Sequence, residues 1–179
     1  MDYGLKKDAK IYVAGHKGLI GSAFIRFFKE NYYENVITRN RENLELTSEV
    51  EVYKFFKKNC PAIVILAAGK VGGIIQNREF PADFIRENLA IQQNVLNASQ
   101  KYGVEKVIFF GSSCMYPRDT EQPMSENQLL TGLLEPTSVA YASAKFVGVQ
   151  MCKALNHQNG KVSFIPVIPN SSYGPNDNF

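Results

Sequence analysis

The sequence predicts an α/β fold, a doubly wound parallel sheet with helices on both faces. Three observations predict it. Short apolar runs of strand length alternate with segments whose apolar residues recur at helical spacing. The run AIVILAA at 62–68 is apolar throughout, as a strand covered on both faces requires. A glycine-rich turn lies between the first apolar run and the first helical pattern. Alternation of this kind favours parallel strands joined by right-handed crossovers.

Along the chain, residues 1–10 (MDYGLKKDAK) form a polar lead-in, and 11–15 (IYVAG) form an apolar run that stops at a glycine. Residues 19–30 place Ile20, Ala23, Phe24, Phe27 and Phe28 on one helical stripe. Residues 35–38 predict a second short strand. Residues 48–58 predict a helix, with Ser48 as its cap and Val52, Phe55 and Phe56 on one face. The strand at 62–68 is followed by a long helix over 83–102, ended by Gly103. A fourth strand covers 106–111. Residues 114–137 form a long, proline-bearing loop, which inside a compact domain points to a functional role. A helix over 139–156 and a fifth strand over 162–168 follow. The stretch 170–179 carries no closing helix or strand.

The 179 residues suffice for one domain with a buried core, and 45% apolar with 21% charged content fits a globular chain. No apolar run is long enough to span a membrane, and the start lacks a secretory pattern. The net charge of +3 comes from scattered basic residues, with no basic stripe of the kind nucleic acid requires. Cys60, Cys114 and Cys152 have no paired or metal-like spacing, which suits a reducing, cytoplasmic location. With only His16 and His157 as histidines, no metal site is expected.

Gly15-His16-Lys17-Gly18-Leu19-Ile20-Gly21 is a GxxGxxG pattern between strand and helix. Gly15 permits the tight turn, Gly18 lets backbone approach a pyrophosphate, and Gly21 lets helix and strand pack closely. The helix start offers free N–H groups and the positive end of its dipole. Glycines alone say little, but in this setting they predict a Rossmann-type dinucleotide site, so residues 1–179 read as one dinucleotide-binding domain.

Sites for NAD usually carry an acid at the end of the second strand, to bond the ribose 2′-hydroxyl. Here that region reads Thr38-Arg39-Asn40-Arg41. Guanidinium groups suit a 2′-phosphate, and Lys17 adds another cation, so NADP(H) is expected over NAD. The alternative is that Arg39 and Arg41 are solvated loop charges.

Tyr141-Ala-Ser-Ala-Lys145 is YxxxK on a helix, which puts the phenol and the ammonium on one face. A lysine beside a tyrosine is expected to lower the phenol pKa, and such a phenol exchanges a proton with a carbonyl or alcohol during hydride transfer. Gly111-Ser112-Ser113-Cys114-Met115-Tyr116-Pro117 falls at the carboxyl end of the fourth strand, where open α/β sheets bind ligands. If the extended conformation continues, Ser112 and Cys114 share a face. Ser112 can then bond the substrate oxygen. Cys114 is either a carbon-acid base or a buried small hydrophobe. His16 reads as structural beside the helix terminus, His157 and Cys60 as helix-end residues, and Cys152 and the Phe27/Phe28, Phe55/Phe56 and Phe109/Phe110 pairs as core.

Together VAGHKGLIGSA, LAAGKVGGI, FPADFIREN, FFGSSCMYP, LLTGLLEPT, YASAK and YGPNDNF resemble the GDP-L-fucose synthase family. Its members are extended short-chain dehydrogenases with GDP-4-keto-6-deoxy-D-mannose 3,5-epimerase/4-reductase activity. The likeness runs from about Lys10 to Phe179. It implies Ser112, Tyr141 and Lys145 as the catalytic serine, tyrosine and lysine, and Cys114 as the epimerisation cysteine. It implies Lys17 and Arg41 as the cations on the 2′-phosphate. The wider NADP(H) contact set includes Leu19, Ile20, Leu46, Ala67, Ala68, Lys145 and Pro169, Asn170, Ser171, Ser172, although NSSYGP departs from the family's usual TNLYGP. Lys70, Val71, Gly72, Ser112, Ser113 and Tyr141 would border a GDP-linked keto-deoxy sugar. A homodimer formed through the YxxxK helix is also implied.

Family members run to about twice this length. The region that binds the nucleotide sugar and the general-acid histidine after the DNF segment have no counterpart here, so a truncated first part is expected, with an exposed sheet edge. The alternatives are a related nucleotide-sugar epimerase, dehydratase or reductase, and a silent dinucleotide-binding fragment.

Overall fold

In the computed structural model, which describes residues 5–177, strand alternation decides which side chains enter which half of the core. Residues 1–4 of the lead-in, and Asn178 and Phe179 of the terminal motif, lie outside the described residues. The first strand, β1 (Ile11–Ala14), is buried along its whole length. Successive side chains point to opposite faces. Ile11 and Val13 therefore join a cluster with Phe28, Ile63, Ile65 and Phe110, against which Ile20, Phe24 and Phe27 of α1 (Leu19–Glu30) pack. Tyr12 and Ala14 join the larger cluster on the opposite face, with Phe56, Val64, Leu66, Leu96, Phe109 and Phe164.

The remaining strands are β2 (Val36–Ile37), β3 (Ile63–Leu66), β4 (Lys106–Phe110) and β5 (Ser163–Val167). All neighbouring pairs are parallel, and the order is β2-β1-β3-β4-β5, with β5 at one edge. The order reverses direction between β1 and β3. The crevice outside the carboxyl ends of the strands at such a reversal is where doubly wound sheets bind ligands.

The second face is covered by α2 (Glu49–Asn59), α4 (Pro81–Lys101) and α5 (Val139–Asn159). Ser48 caps α2 as expected, accepting from the Glu51 N–H at 3.4 Å. The helix ends where Cys60 adopts a left-handed conformation (φ 46°), and Cys60 is exposed. Buried Gln92 of α4 donates to the Ala144 carbonyl of α5 at 2.8 Å, satisfying a polar group that would otherwise destabilise that contact. Cys152 of α5 is fully buried, and burial pushes its thiol up to about 12, so it is an inert core residue.

The largest differences from expectation are in the helices. The long helix starts at Pro81 rather than residue 83, because proline fits a first helical position. The last helix runs on to Asn159 and stops at Gly160. A short helix, α3 (Ile74–Glu79), lies where the sequence predicts no element. Its Ile74 and Ile75 are exposed, so it presents no amphipathic stripe to a sequence reader. Among the described residues no helix is long and apolar enough to cross a membrane, and no cluster of His, Cys, Asp or Glu could hold a metal.

Candidate active site

The turn after β1 is built by close approach. Gly15 has φ 82°, and a Cβ there would lie 2.6 Å from the Ala68 amide. A Cβ on Gly21 would run into the Gly15 carbonyl. These two glycines are demanded by the protein itself. At Gly18 the nearest atom to a Cβ would be the Gly15 oxygen at 3.6 Å, an ordinary contact, so packing within the protein does not require glycine there. Gly18 also starts α1 with no side-chain cap and no acid in the first turn, leaving N–H groups for an anion. The residues present thus fit a diphosphate.

The turn opens into a groove of about 500 Å³ lined by Gly15, Lys17, Gly18, Arg39, Arg41, Leu46, Ala68 and Lys70. Of the other expected cofactor residues, Gly21 lies in the α1–β1 contact and Ile20 and Ala67 pack against the smaller cluster. Leu19 is half-buried at the start of α1, outside the groove lining. Pro169 is half-buried beyond β5, and Asn170, Ser171 and Ser172 are exposed there, also outside that lining. Buried Asn94 donates to the Leu46 carbonyl at 2.9 Å and fixes that wall.

The cations fall into two groups. Lys17 and Arg39 share a recess of about 650 Å³ with His16, Asn40 and Asn43. Lys17 makes no ion pair among the described residues, and Arg39 donates to the Thr38 carbonyl at 2.7 Å. Burial, then the Lys17 charge, hold His16 below its ordinary pKa, so it stays neutral there. Arg41 instead pairs with Glu45 at 2.6 Å and with Glu87 at 3.6 Å. Glu87 also holds Lys70 at 2.6 Å. Arg41 is drawn into a mixed-charge cluster, because two carboxylates lie within its reach. The Lys70 backbone is fixed by buried Asn88, which accepts from its N–H and donates to its carbonyl.

Beyond that loop lies a second cavity of about 750 Å³, bordered by Gly72, Asn77, Ser113, Cys114 and Tyr141. Exposed Val71 stands beside it in the loop. The expected extension of β4 through Ser112 and Cys114 does not occur. After Ser112 the chain turns into a 3₁₀ segment (Ser113–Met115), with the Cys114 N–H donating to Ser112 Oγ at 3.2 Å. The turn, rather than strand alternation, brings both side chains to Tyr141. Burial raises the Tyr141 pKa, the nearby Cys114 raises it further, and a hydrogen bond with Ser112 offsets part of the rise. No cation is among the groups acting on it, so the lowering expected from Lys145 is absent. The reason is the position of Lys145: its Nζ lies 4.8 Å from the Phe109 ring centroid and 3.9 Å from where a Gly69 Cβ would be. The amine therefore sits under the loop that separates the two cavities.

Two residues of this site escaped sequence reasoning. Asn77 is buried, and its Nδ2 donates to the Gly72 and Gly73 carbonyls at 2.8 and 3.1 Å, pinning the start of α3. Its Oδ1 is the one buried side-chain polar atom without a partner among the described residues, and the residue borders the second cavity. No motif marked it. Tyr12 lines the first groove from within β1, where a lone tyrosine reads simply as core.

Burial alone brings Lys145 down to about 8 from an ordinary 10.5. A depression of that size corresponds to about 3 kcal/mol. The folded value is the lower one, so between about pH 8 and 10.5 the unfolded chain binds the extra proton and native stability rises with pH. Below pH 8 the penalty is fully present. Lys145→Met should therefore be more stable than wild type by about 3 kcal/mol at pH 7, with the gap closing towards pH 10.5. Urea unfolding at both pH values checks this, and a pH-independent gap rejects it.

Comparison with known proteins agrees with this architecture. A GDP-L-fucose synthase of Arabidopsis thaliana is 48% identical over 173 residues, covering 97% of this chain and 53% of that protein. The GDP-L-fucose synthase of Escherichia coli K12 is 42% identical, covering 95% and 53%. The structure of MlghC, a GDP-mannoheptose C4 reductase from Campylobacter jejuni with NADP bound, superposes with a TM-score of 0.94 at 38% identity, covering 98% of this chain and 55% of that one. The chain spans about half the length of the curated relatives it matches. The model of the NAD dependent epimerase/dehydratase family matches residues 11–179. The chain belongs to the NAD dependent epimerase/dehydratase family.

Proposed function

We propose that this chain is the NADP(H)-binding part of an enzyme that epimerises C3 and C5, and reduces C4, of a GDP-linked 4-keto-6-deoxy-hexose. One observation carries the reading: Cys114 and Tyr141 line one cavity, and the Ser112 hydroxyl behind them accepts from the Cys114 N–H and hydrogen-bonds Tyr141. A reductase alone needs the serine and the tyrosine. A thiol beside them supplies a carbon-acid base for protons next to a ketone. The relatives named above support the sugar class.

Lys17 and Arg39 would hold the 2′-phosphate, the free amides at the start of α1 the diphosphate, and Lys145 the nicotinamide ribose. When bound, the reduced nicotinamide supplies the hydride. Cys114 Sγ takes the proton from C3 or C5, leaving the electron pair delocalised onto the C4 oxygen. A second group returns a proton on the opposite face. In the reductive stage the Tyr141 hydroxyl gives its proton to the C4 oxygen, and Ser112 holds that oxygen. The upward shift of Tyr141 suits this role, because burial keeps the phenol protonated until the alkoxide forms.

A thermal-shift comparison tests the cofactor half. At a ligand concentration one hundred times Kd, a ligand that binds only the native state adds about 2.7 kcal/mol, or a rise of roughly 5–10 °C for a domain this size. NADPH is expected to raise Tm more than NADH at equal concentration. A larger rise with NADH contradicts the 2′-phosphate assignment. Incubation with GDP-4-keto-6-deoxymannose in D2O tests the other half: deuterium should enter C3 and C5 without NADPH, and C4 reduction should require NADPH.

A further inference from the structure

Tyr12, the second residue of β1, is 1% exposed. Its ring packs against Phe55, with centroids 4.6 Å apart, and edge-on against Phe56 at 6.1 Å. A phenylalanine would fill the same space without burying a hydroxyl. The hydroxyl makes no hydrogen bond among the described residues, yet it is not sealed in the core: Asn77 Oδ1 is the one sealed polar side-chain atom without a partner there. Tyr12 lines the first groove, so its small exposure is at the groove. A buried phenol with no protein partner is unfavourable unless something else pairs with it.

The surroundings define what that is. Leu44, Leu46, Ala68 and Ile91 line the same groove as Tyr12, and Arg41, Glu45, Lys70 and Glu87 give it a charged side. The recess of Lys17 and Arg39 adjoins the groove through Arg39, and Tyr12 does not line it. A groove that sets four apolar side chains and a buried, unpartnered hydroxyl beside a cationic recess suits a flat nitrogen heterocycle whose attached sugar carries phosphate. We propose that Tyr12 is a purine-binding residue: its hydroxyl hydrogen-bonds the edge of the adenine of a dinucleotide whose 2′-phosphate lies at Lys17 and Arg39. The inference rests on the dinucleotide reading above and adds a residue to it.

Tyr12→Phe removes one oxygen and keeps the ring packing. Isothermal titration of wild type and Y12F with NADPH, NADH and adenosine 2′,5′-bisphosphate tests the inference. Y12F should weaken all three by one common factor, roughly threefold to tenfold, the worth of one net hydrogen bond. Its melting temperature without ligand should be unchanged or higher. Equal affinities in the two proteins overturn the inference. A loss confined to NADPH and the bisphosphate also overturns it, because the hydroxyl then meets the 2′-phosphate. Weaker binding together with a lower melting temperature overturns it in favour of a packing role. If wild type binds none of the three probes, the dinucleotide reading fails and this inference fails with it.

Discussion

Cys114→Ser should slow deuterium entry at C3 and C5 of GDP-4-keto-6-deoxymannose by a factor on the order of 10² to 10⁴, the usual worth of a positioned acid or base. The reason is acidity. A thiol is a far stronger acid than a serine hydroxyl, so the thiolate that serves as base is lost in the variant. NADPH oxidation should be far less affected when a substrate that needs no epimerisation is supplied. Tyr141→Phe should give the opposite pattern. Exchange persists, while C4 reduction falls by a similar factor, because the phenol proton is lost and Ser112 loses its neighbour. NADPH affinity should stay within about twofold in both variants, a difference well below one hydrogen bond. Mass spectrometry of the sugar and NADPH absorbance read the two stages separately. Wild-type exchange in Cys114→Ser would remove the thiol from the chemistry.

Gly21→Ala should destabilise the fold by about 3 kcal/mol or more and eliminate NADPH binding. The added methyl meets backbone rather than a flexible side chain. It would collide with the Gly15 carbonyl and lie 2.7 Å from the Gly15 carbonyl carbon and 2.9 Å from the His16 Cα. Relief requires α1 to move off β1, which opens the turn and separates Ile20 and Phe24 from the strand face they cover. Gly18→Ala is the control. Its methyl has room within the protein, so unfolding in urea should change little, while NADPH binding weakens because the methyl occupies the approach to the diphosphate. A Gly21→Ala protein of wild-type stability would mean that the helix and strand are not packed as described.

How much of this was legible in the sequence depended on whether the cause was local. AIVILAA announced a strand buried on both faces, and Ile63–Leu66 is buried throughout. Ser48 announced a cap because capping is a contact within one turn. The GxxGxxG spacing placed a turn that two close approaches require. What failed depended on distance in the chain. Period-two reasoning put Ser112 and Cys114 on one strand face, but the chain turns after Ser112, and only the turn geometry explains why both reach Tyr141. The i, i+4 spacing of Tyr141 and Lys145 suggested a lysine-activated phenol. The helix carries both residues, yet Phe109 from β4 and the Gly69 loop define where the amine goes. Arg41 lines the groove, and only the fold adds its pairing with Glu87, 46 positions away on α4. Asn77 was invisible because its partners are carbonyls, which no residue pattern encodes.

The central claim is that one dinucleotide joins the turn after β1 to Tyr141 across the loop above Lys145. A crystal structure of this chain with NADPH tests it most directly. The diphosphate is expected on the free amides at the start of α1, the 2′-phosphate between Lys17 and Arg39, and the nicotinamide ring within van der Waals reach of the Tyr141 hydroxyl. A 2′-phosphate bound by Arg41 alone, or a nicotinamide remote from Tyr141, would contradict it.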